Sequence, residues 1–241
     1  MDQSRFDRGR RTFLRCALVT GLASPVAVLA QQASRTSPPS KEQRDRLSPE
    51  RVIETLKEGN TRFRTGHLMA RDYRSARHAT AGGQFPIAAL VGCIDSRAPA
   101  EIIFDAGIGD IFSARLAGNV VDDDVLGSLE FACDVAGAKA VVLFGHTACG
   151  AVKGAIDGVE LGNLTGVLAR IKPAIAATSF HGERSSKNAA YVDAVARTHV
   201  KLAIEDIRRR SPILAGLETK GAIQMAGAMY DLATGAVEFA A

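Results

Sequence analysis

The segment KAVVLFGHTACGAV, residues 139–152, combines the pattern of a buried strand with two side chains that bind metals. Apolar residues fill positions 140–144 without interruption, and His146 and Cys149 follow shortly after. A short continuous apolar run is typical of a strand covered on both faces, as in a parallel sheet. The segment therefore predicts an α/β fold in which one central strand ends at a polar site.

A second segment, PIAALVGCIDSR over residues 86–97, repeats this arrangement and ends its apolar run at Cys93. In an open α/β sheet, ligands bind at the carboxyl ends of strands, near the point where the strand order reverses. We therefore predict Cys93, His146 and Cys149 as metal ligands. Two sulfurs and one nitrogen suit tetrahedral zinc, and three protein ligands leave one position open, as in catalytic sites. The spacing alone is weak evidence, because a buried cysteine usually packs as a small apolar residue.

Two charged residues, Asp95 and Arg97, follow Cys93 by two and four positions. A carboxylate beside a metal ion can orient a water molecule or become the fourth ligand itself. An arginine can hold that carboxylate with two hydrogen bonds and keep it ionised. The alternative interpretation of this pair is a surface ion pair that contributes little stability.

The remaining patterns predict an α/β domain with a mainly parallel central sheet flanked by helices. Ser48 and Pro49 are typical of the first residues of a helix, and a loop is expected over 66–86. The other predicted segments are a short helix within 98–107, a strand within 110–118, helices at about 122–137, 150–157, 163–178 and 187–210, and two strands around a turn at 233–235.

Three regions divide the chain. Residues 1–30 contain Arg10, Arg11 and a mostly apolar run over 16–30, which indicates a twin-arginine export signal and a periplasmic location. The alternative is a membrane anchor, but this run is too short to span a bilayer. Residues 31–47 are polar and contain two prolines, which predicts a flexible leader, and 48–241 are expected to form one domain.

The charge balance excludes some classes of partner. Five arginines and two aspartates lie in residues 1–30, so the rest of the chain carries nearly equal numbers of basic and acidic residues. Without a basic surface, nucleic acid is not an expected partner.

Cys16 would leave with the signal, and the odd number of remaining cysteines argues against disulfides as their only role. Cys133 lies on the apolar face of the 122–137 helix and is expected in the core.

Several motifs, in the same order, resemble those of the β-class carbonic anhydrases. CIDSR and HTAC carry the resemblance at the predicted ligands. Further motifs extend it over the chain from about residue 50: RFRTG, GQFP, AEIIFDAGIGDIFSARLAGN, SLEFA, VVLFGHTACGAV and YDLATGAV. The resemblance implies the fold of that family with an N-terminal helical arm over 48–64. Through such an arm the family forms homodimers or larger homo-oligomers.

The resemblance also implies a function and a set of site residues. One Zn²⁺ ion per chain, on the three predicted ligands, is expected to support reversible hydration of carbon dioxide to bicarbonate by attack of zinc-bound hydroxide. Asp95 and Arg97 match the catalytic dyad of the family, and Gln84 matches a glutamine that contacts the substrate. In some members the aspartate binds the zinc and closes the site at low pH, so Asp95 is also a candidate fourth ligand.

Other positions leave variants of the family open. Arg115 matches a residue of the subgroup that binds a regulatory bicarbonate, but Leu90 stands where that subgroup has tryptophan. His199 stands where related sequences often have asparagine, and its helical face predicts a hydrogen-bonded core histidine. The remaining histidines lie in polar segments, so no proton shuttle is identified among them: His67, His78 and His181.

Two other functions remain open at this point. The same zinc site acts on carbonyl sulfide or carbon disulfide in some relatives. A non-catalytic zinc-binding protein is the other alternative, although a closed structural site needs neither the Asp95–Arg97 pair nor Gln84. Export and zinc are compatible, because the twin-arginine route carries folded proteins. Zinc bound before export would protect Cys93 and Cys149 from forming a disulfide.

Overall fold

The computed structural model describes residues 37–240 of the chain. The predicted export signal over 1–30 and the first part of the predicted leader lie outside the described residues. The strands are β1 (Ala88–Gly92), β2 (Ile111–Arg115), β3 (Ala140–His146), β4 (Gln224–Tyr230) and β5 (Val237–Ala240). The helices are α1 (Lys41–Asp45), α2 (Pro49–Thr65), α3 (Tyr73–Thr80), α4 (Ala100–Ile103), α5 (Asp123–Glu130), α6 (Gly150–Ile156), α7 (Leu164–Ala169), α8 (Lys172–Ala177), α9 (Ala189–Arg210) and α10 (Pro212–Thr219).

The five strands form one sheet in the order β2-β1-β3-β4-β5. The first four strands are parallel, and β5 pairs with β4 in the antiparallel direction at one edge. This architecture confirms the predicted α/β fold with a mainly parallel central sheet. All residues of β1 and β3 are buried, as their continuous apolar runs predicted. Since β1 connects to β2 on one side while β3 lies on the other, the strand order reverses between β1 and β3.

Alternate residues of the strands feed two apolar cores, one on each face of the sheet. Residues of α5 to α10 complete one core, and residues of α2 and α4 complete the other. Helix α9 approaches the sheet closely because Val200 lies over two strand positions that have no side chain. A Cβ atom on Gly145 or Gly227 would lie only 2.7 or 2.8 Å from a methyl group of Val200. This close approach fixes α9 behind the carboxyl end of β3.

The N-terminal part of the domain confirms one prediction and corrects another. Helix α2 begins at Pro49, and the Ser48 side chain accepts a hydrogen bond from the Arg51 N–H, as the sequence predicted. The flexible leader predicted over 31–47 is wrong for its last part, because α1 forms there. Ser40 and Gln43 cap each other's backbone, and the buried Arg44 donates to the Ala136 carbonyl.

Two predicted segments differ from the structure, and one helix was not predicted. The loop expected over 66–86 contains α3, which the Asp72 carboxylate caps and which buries only Ala76. The helix expected over 163–178 is two helices, because Pro173 cannot continue the hydrogen-bond pattern of α7 and instead starts α8. Helix α10 follows Ser211 and also has proline in its first turn.

Within residues 37–240, no helix combines the length and the apolar character needed to cross a membrane.

Candidate metal centre

The structure brings the three predicted metal ligands together at the carboxyl ends of β1 and β3. Cys93 follows β1 directly, His146 is the last residue of β3, and Cys149 precedes α6. Their ligand atoms all lie within 4.8 Å of one another, and all three residues are buried. None of the three is part of a disulfide. These residues could therefore hold one metal ion.

The turn between His146 and Cys149 has a conformation that aims both side chains at one point. Ala148 has a φ of 55°, in the left-handed region that residues other than glycine rarely adopt. Two hydrogen bonds hold the preceding residue, Thr147, in place. The Thr147 N–H donates to the Tyr230 carbonyl, and the Leu232 N–H donates to the Thr147 hydroxyl. Strand β4 and the segment after it therefore hold this turn in place.

The imidazole of His146 has the tautomer that a metal ligand requires. Its Nδ1–H donates to the Thr147 carbonyl at 2.9 Å, and a carbonyl can only accept, so the lone pair lies on Nε2. Nε2 is buried and has no hydrogen-bond partner among the described residues. A buried polar atom without a partner is costly, whereas coordination of a metal ion would satisfy it. The donor set of one imidazole and two thiols fits zinc.

The two ligand cysteines interact strongly with each other. A hydrogen bond from the Cys149 thiol, with further bonds from the backbone N–H groups of Asp95 and Gly118, lowers the pKa of Cys93 to about 4. The same thiol–thiolate bond, together with burial, raises the pKa of Cys149. Near neutral pH the pair therefore holds one proton and one negative charge. A divalent cation would displace the remaining proton, because metal ligation requires the thiolate form.

Asp95 and Arg97 form a close ion pair beside the ligands. The Arg97 Nε and Nη2 groups donate to the two Asp95 carboxylate oxygens at 2.9 and 2.7 Å. The Arg97 backbone N–H adds a third bond to Oδ1 at 2.9 Å. These bonds hold the pKa of Asp95 well below its usual range. The Asp95 side chain is only 15% exposed and its Oδ2 lies 3.9 Å from His146 Nε2, so the pair is not an ordinary surface ion pair.

Residues outside the predicted set fix the loop that carries Cys93 and Asp95. Arg115 donates from Nε to the Cys93 carbonyl at 2.9 Å and from Nη2 to the Asp95 carbonyl at 2.5 Å. The Gly118 N–H donates to the Cys93 sulfur at 3.3 Å. Sequence reasoning singled out Arg115 for another role and missed Gly118, since both contacts join residues at least 20 positions apart.

The other candidate residues lie apart from this cluster. Gln84 is exposed, between α3 and β1, and its side chain has no hydrogen-bond partner within residues 37–240. Cys133 is buried in the core, and burial raises the pKa of its thiol to about 12, which makes it unreactive. His199 is buried and hydrogen-bonded, as predicted. The remaining histidines are exposed: His67, His78 and His181.

Comparisons with known proteins agree with the fold. The carbonic anhydrase family model matches residues 88–237. Carbonic anhydrase 2 of Mycobacterium tuberculosis is 36% identical over 197 residues, which cover 78% of this chain and 91% of that protein. A carbonic anhydrase of Mycolicibacterium smegmatis is 34% identical over 193 residues, covering 79% and 93% of the two chains.

Solved structures of β-class enzymes share the fold. The β-carbonic anhydrase CafA of Aspergillus fumigatus superposes with a TM-score of 0.60 at 26% identity, covering 79% of this chain and 89% of that one. A tetrameric β-carbonic anhydrase of Sordaria macrospora gives a TM-score of 0.59 at 24% identity over 79% of this chain and 96% of its own. The chain belongs to the β-class carbonic anhydrases.

The charge state of the cysteine pair is testable in the metal-free protein. Because the pKa of Cys93 is about 4, we expect the ultraviolet absorbance of one thiolate to appear on titration through the acid range. A free thiol would ionise only near pH 8.5. Cys93→Ser should abolish this step, whereas Cys133→Ser, which removes the core thiol, should leave it unchanged. The absence of any thiolate signal below neutral pH would contradict the assigned pairing.

Proposed function

We propose that the protein is a zinc enzyme that hydrates carbon dioxide reversibly to bicarbonate and a proton. The observation that carries this proposal is the position of the Asp95–Arg97 pair next to the buried cluster of Cys93, His146 and Cys149. A zinc site with a purely structural role needs no ionised carboxylate at its edge. Three ligands from the protein leave one coordination position for a water molecule.

The proposed ligands would bind zinc through two thiolates and the Nε2 atom of His146. When bound, zinc lowers the pKa of water to about 7, so that a strong nucleophile is present near neutral pH. Burial of the cluster keeps bulk water away and strengthens the electrostatic interactions there. The Thr147 carbonyl accepts a hydrogen bond from His146 Nδ1 and so holds the ring with Nε2 available to a metal ion.

Asp95 is proposed to orient the reacting water by accepting its hydrogen bond. The carboxylate stays ionised because Arg97 lowers its pKa, so it can accept a proton but has none to donate. Arg97 engages both oxygens from the solvent side. The Oδ2 atom nevertheless lies close to His146 Nε2, where its free lone pair can receive the water hydrogen. This contact would turn a lone pair of the water oxygen toward the carbon of the substrate.

The same ion pair bears on whether Asp95 becomes a fourth metal ligand. A carboxylate that accepts three hydrogen bonds from Arg97 would lose some of them on moving to a metal ion. Arg97 therefore favours the arrangement in which the fourth position stays open for water. We propose that loss of this pairing, with Asp95 still ionised, is what would let Asp95 close the site.

Gln84 and the oligomeric state complete the proposal. Gln84 is assigned as a substrate contact because it matches the family motif, and its exposed side chain is free to bind.

The chain is proposed to form homodimers or larger homo-oligomers. Exposed apolar side chains around a cavity of about 350 Å³ support this: Leu68, Tyr73, Ile102 and Ile108. Burial of such a patch stabilises protein association.

Stopped-flow hydration of carbon dioxide by the zinc-loaded protein, residues 31–241, tests the activity. We expect fast turnover that increases with pH, and a decrease of about 100-fold in kcat/KM for Asp95→Asn, because the amide orients water poorly. Asp134→Asn, which neutralises an exposed carboxylate elsewhere, should retain parent activity. Gln84→Ala should raise KM more than it lowers kcat.

A protein with one zinc per chain and no carbon dioxide turnover at any pH would overturn the proposal. Turnover of carbonyl sulfide or carbon disulfide in the same preparation would then assign the site to those substrates. Without turnover of any of the three, a non-catalytic zinc protein would be the remaining interpretation.

Light scattering on the purified protein tests the oligomeric state. We expect the mass of two or more chains, and dissociation in Ile108→Glu, since a charge buried in an apolar interface is costly. Ile213→Glu is a matched control, because Ile213 is exposed to a similar extent but lies on α10. A monomeric parent protein would contradict the proposed assembly.

The proposed export by the twin-arginine route predicts that zinc enters before transport. When the signal over 1–30 is replaced by one for an unfolded-chain exporter, we expect zinc-poor protein with a disulfide between Cys93 and Cys149. Metal analysis and thiol counting on the exported protein measure this. Fully zinc-loaded, reduced protein from the rerouted chain would remove the support for folded export.

A further inference from the structure

Two polar side chains of helix α9 reach the surroundings of the site: Asp193 contacts the turn between His146 and Cys149, and His199 contacts Gly118, whose N–H donates to the Cys93 sulfur. The rest of its buried face is largely apolar, and Val200 fits against Gly145 and Gly227 of the sheet. We propose that Asp193 and His199 are positioning residues of the metal centre, which hold its two halves at the separation that zinc requires. This inference rests on the proposed function, because it concerns zinc binding at the same site.

Asp193 stabilises the strained turn between His146 and Cys149. Its Oδ1 atom accepts a hydrogen bond from the Ala148 N–H at 3.0 Å. Ala148 is the residue of this turn with a left-handed backbone, so its conformation needs support from surrounding contacts. A carboxylate acceptor makes a stronger bond to an N–H than a neutral oxygen does. Asp193 thus fixes the residue on which the relative direction of the two ligands depends.

His199 acts on the other half of the site through Gly118. Its ring lies 3.0 Å from the Gly118 carbonyl, so Nε2 carries the hydrogen and donates it. The Gly118 N–H in turn donates to the Cys93 sulfur. The two peptide groups that meet at the Gly118 Cα atom are therefore held between His199 and a metal ligand. Gly118 has a φ of 67°, and a Cβ atom there would lie 2.7 Å from Ile171, so no other residue replaces it easily.

Both contacts come from one helix, so they relate the position of the turn at Ala148 to the position of Gly118 and, through it, of Cys93. Removal of either bond would leave the ligands present but less well ordered. Loss of such a partner behind a metal ligand typically weakens metal binding by about 10- to 100-fold. The N–H···S bond also draws electron density from the sulfur. Without His199 the Gly118 peptide loses its support, and a weaker N–H···S bond would move the sulfur-to-cobalt charge-transfer band of the Co²⁺-substituted protein to longer wavelength.

Zinc affinity by chelator competition and Co²⁺ absorption spectra test the proposal on the full-length protein. We expect Asp193→Ala and His199→Leu each to weaken zinc binding by at least about 10-fold. Asp193→Asn keeps an oxygen acceptor and His199→Gln keeps an N–H donor, so both should stay within about threefold of the parent. The red shift of the cobalt band is expected in His199→Leu and not in His199→Gln.

Thr198→Val is the matched control on the same helix. Thr198 hydrogen-bonds to the Thr178 hydroxyl at 2.9 Å and does not contact a ligand loop. Its replacement should lower the melting temperature while leaving zinc affinity and the cobalt spectrum unchanged. If Asp193→Ala does not fold alone, it is measured with Ala148→Gly, which adopts the left-handed backbone without strain. The loss of affinity should there be less than about 10-fold, and a larger loss would contradict the link to Ala148.

The possible outcomes separate this inference from the proposed function. Cobalt spectra without thiolate bands in the parent protein would overturn the zinc site and this inference with it. Normal parent spectra, together with Asp193→Ala and His199→Leu variants that keep parent affinity and spectra, would overturn the positioning role alone. A decrease in melting temperature without a change in metal binding, as expected for Thr198→Val, would have the same meaning.

Discussion

Two fully buried parallel strands, β1 and β3, end side by side, and the whole site depends on this adjacency. Gly92 pairs with Phe144 across the two strands, so Cys93 and His146 leave the sheet at nearly the same level. At this point the strand order reverses, because the chain runs from β1 to β2 on one side while β3 lies on the other. Apolar burial on both faces fixes the two strands, so Cys93 and His146 lie at the ends of fully buried elements.

The residues around the cluster neutralise only part of the negative charge that its ionisable groups can carry. Two thiols and a carboxylate lie close together in a region of low dielectric constant, where like charges repel strongly. Arg97 neutralises Asp95, and Arg115 binds the backbone of the same loop. The second thiol keeps its proton, because its hydrogen bond to Cys93 and its burial raise the pKa of Cys149. A divalent cation would supply a positive charge at this cluster and displace that proton.

The strands and the ligands could be predicted from sequence because the signals are local. An unbroken apolar run followed by a cysteine or histidine identifies both the strand and the residue at its end. Asp95 and Arg97 interact over two positions, so their pairing is also local. Helix α3 was missed since it buries only Ala76 and therefore has no apolar periodicity, although Asp72 caps it. The contacts that fix the site, such as Asp193 to Ala148 over 45 positions, depend on the packing of α9 and leave no local pattern.

X-ray absorption at the zinc edge of the purified protein measures the metal and its ligands together. We expect one zinc per chain with two sulfur ligands, one imidazole nitrogen and one light atom that exchanges with small anions. In Cys149→Ser the sulfur count should fall to one. A site with four protein ligands and no exchangeable position would rule out the proposed zinc enzyme, as would zinc bound without sulfur.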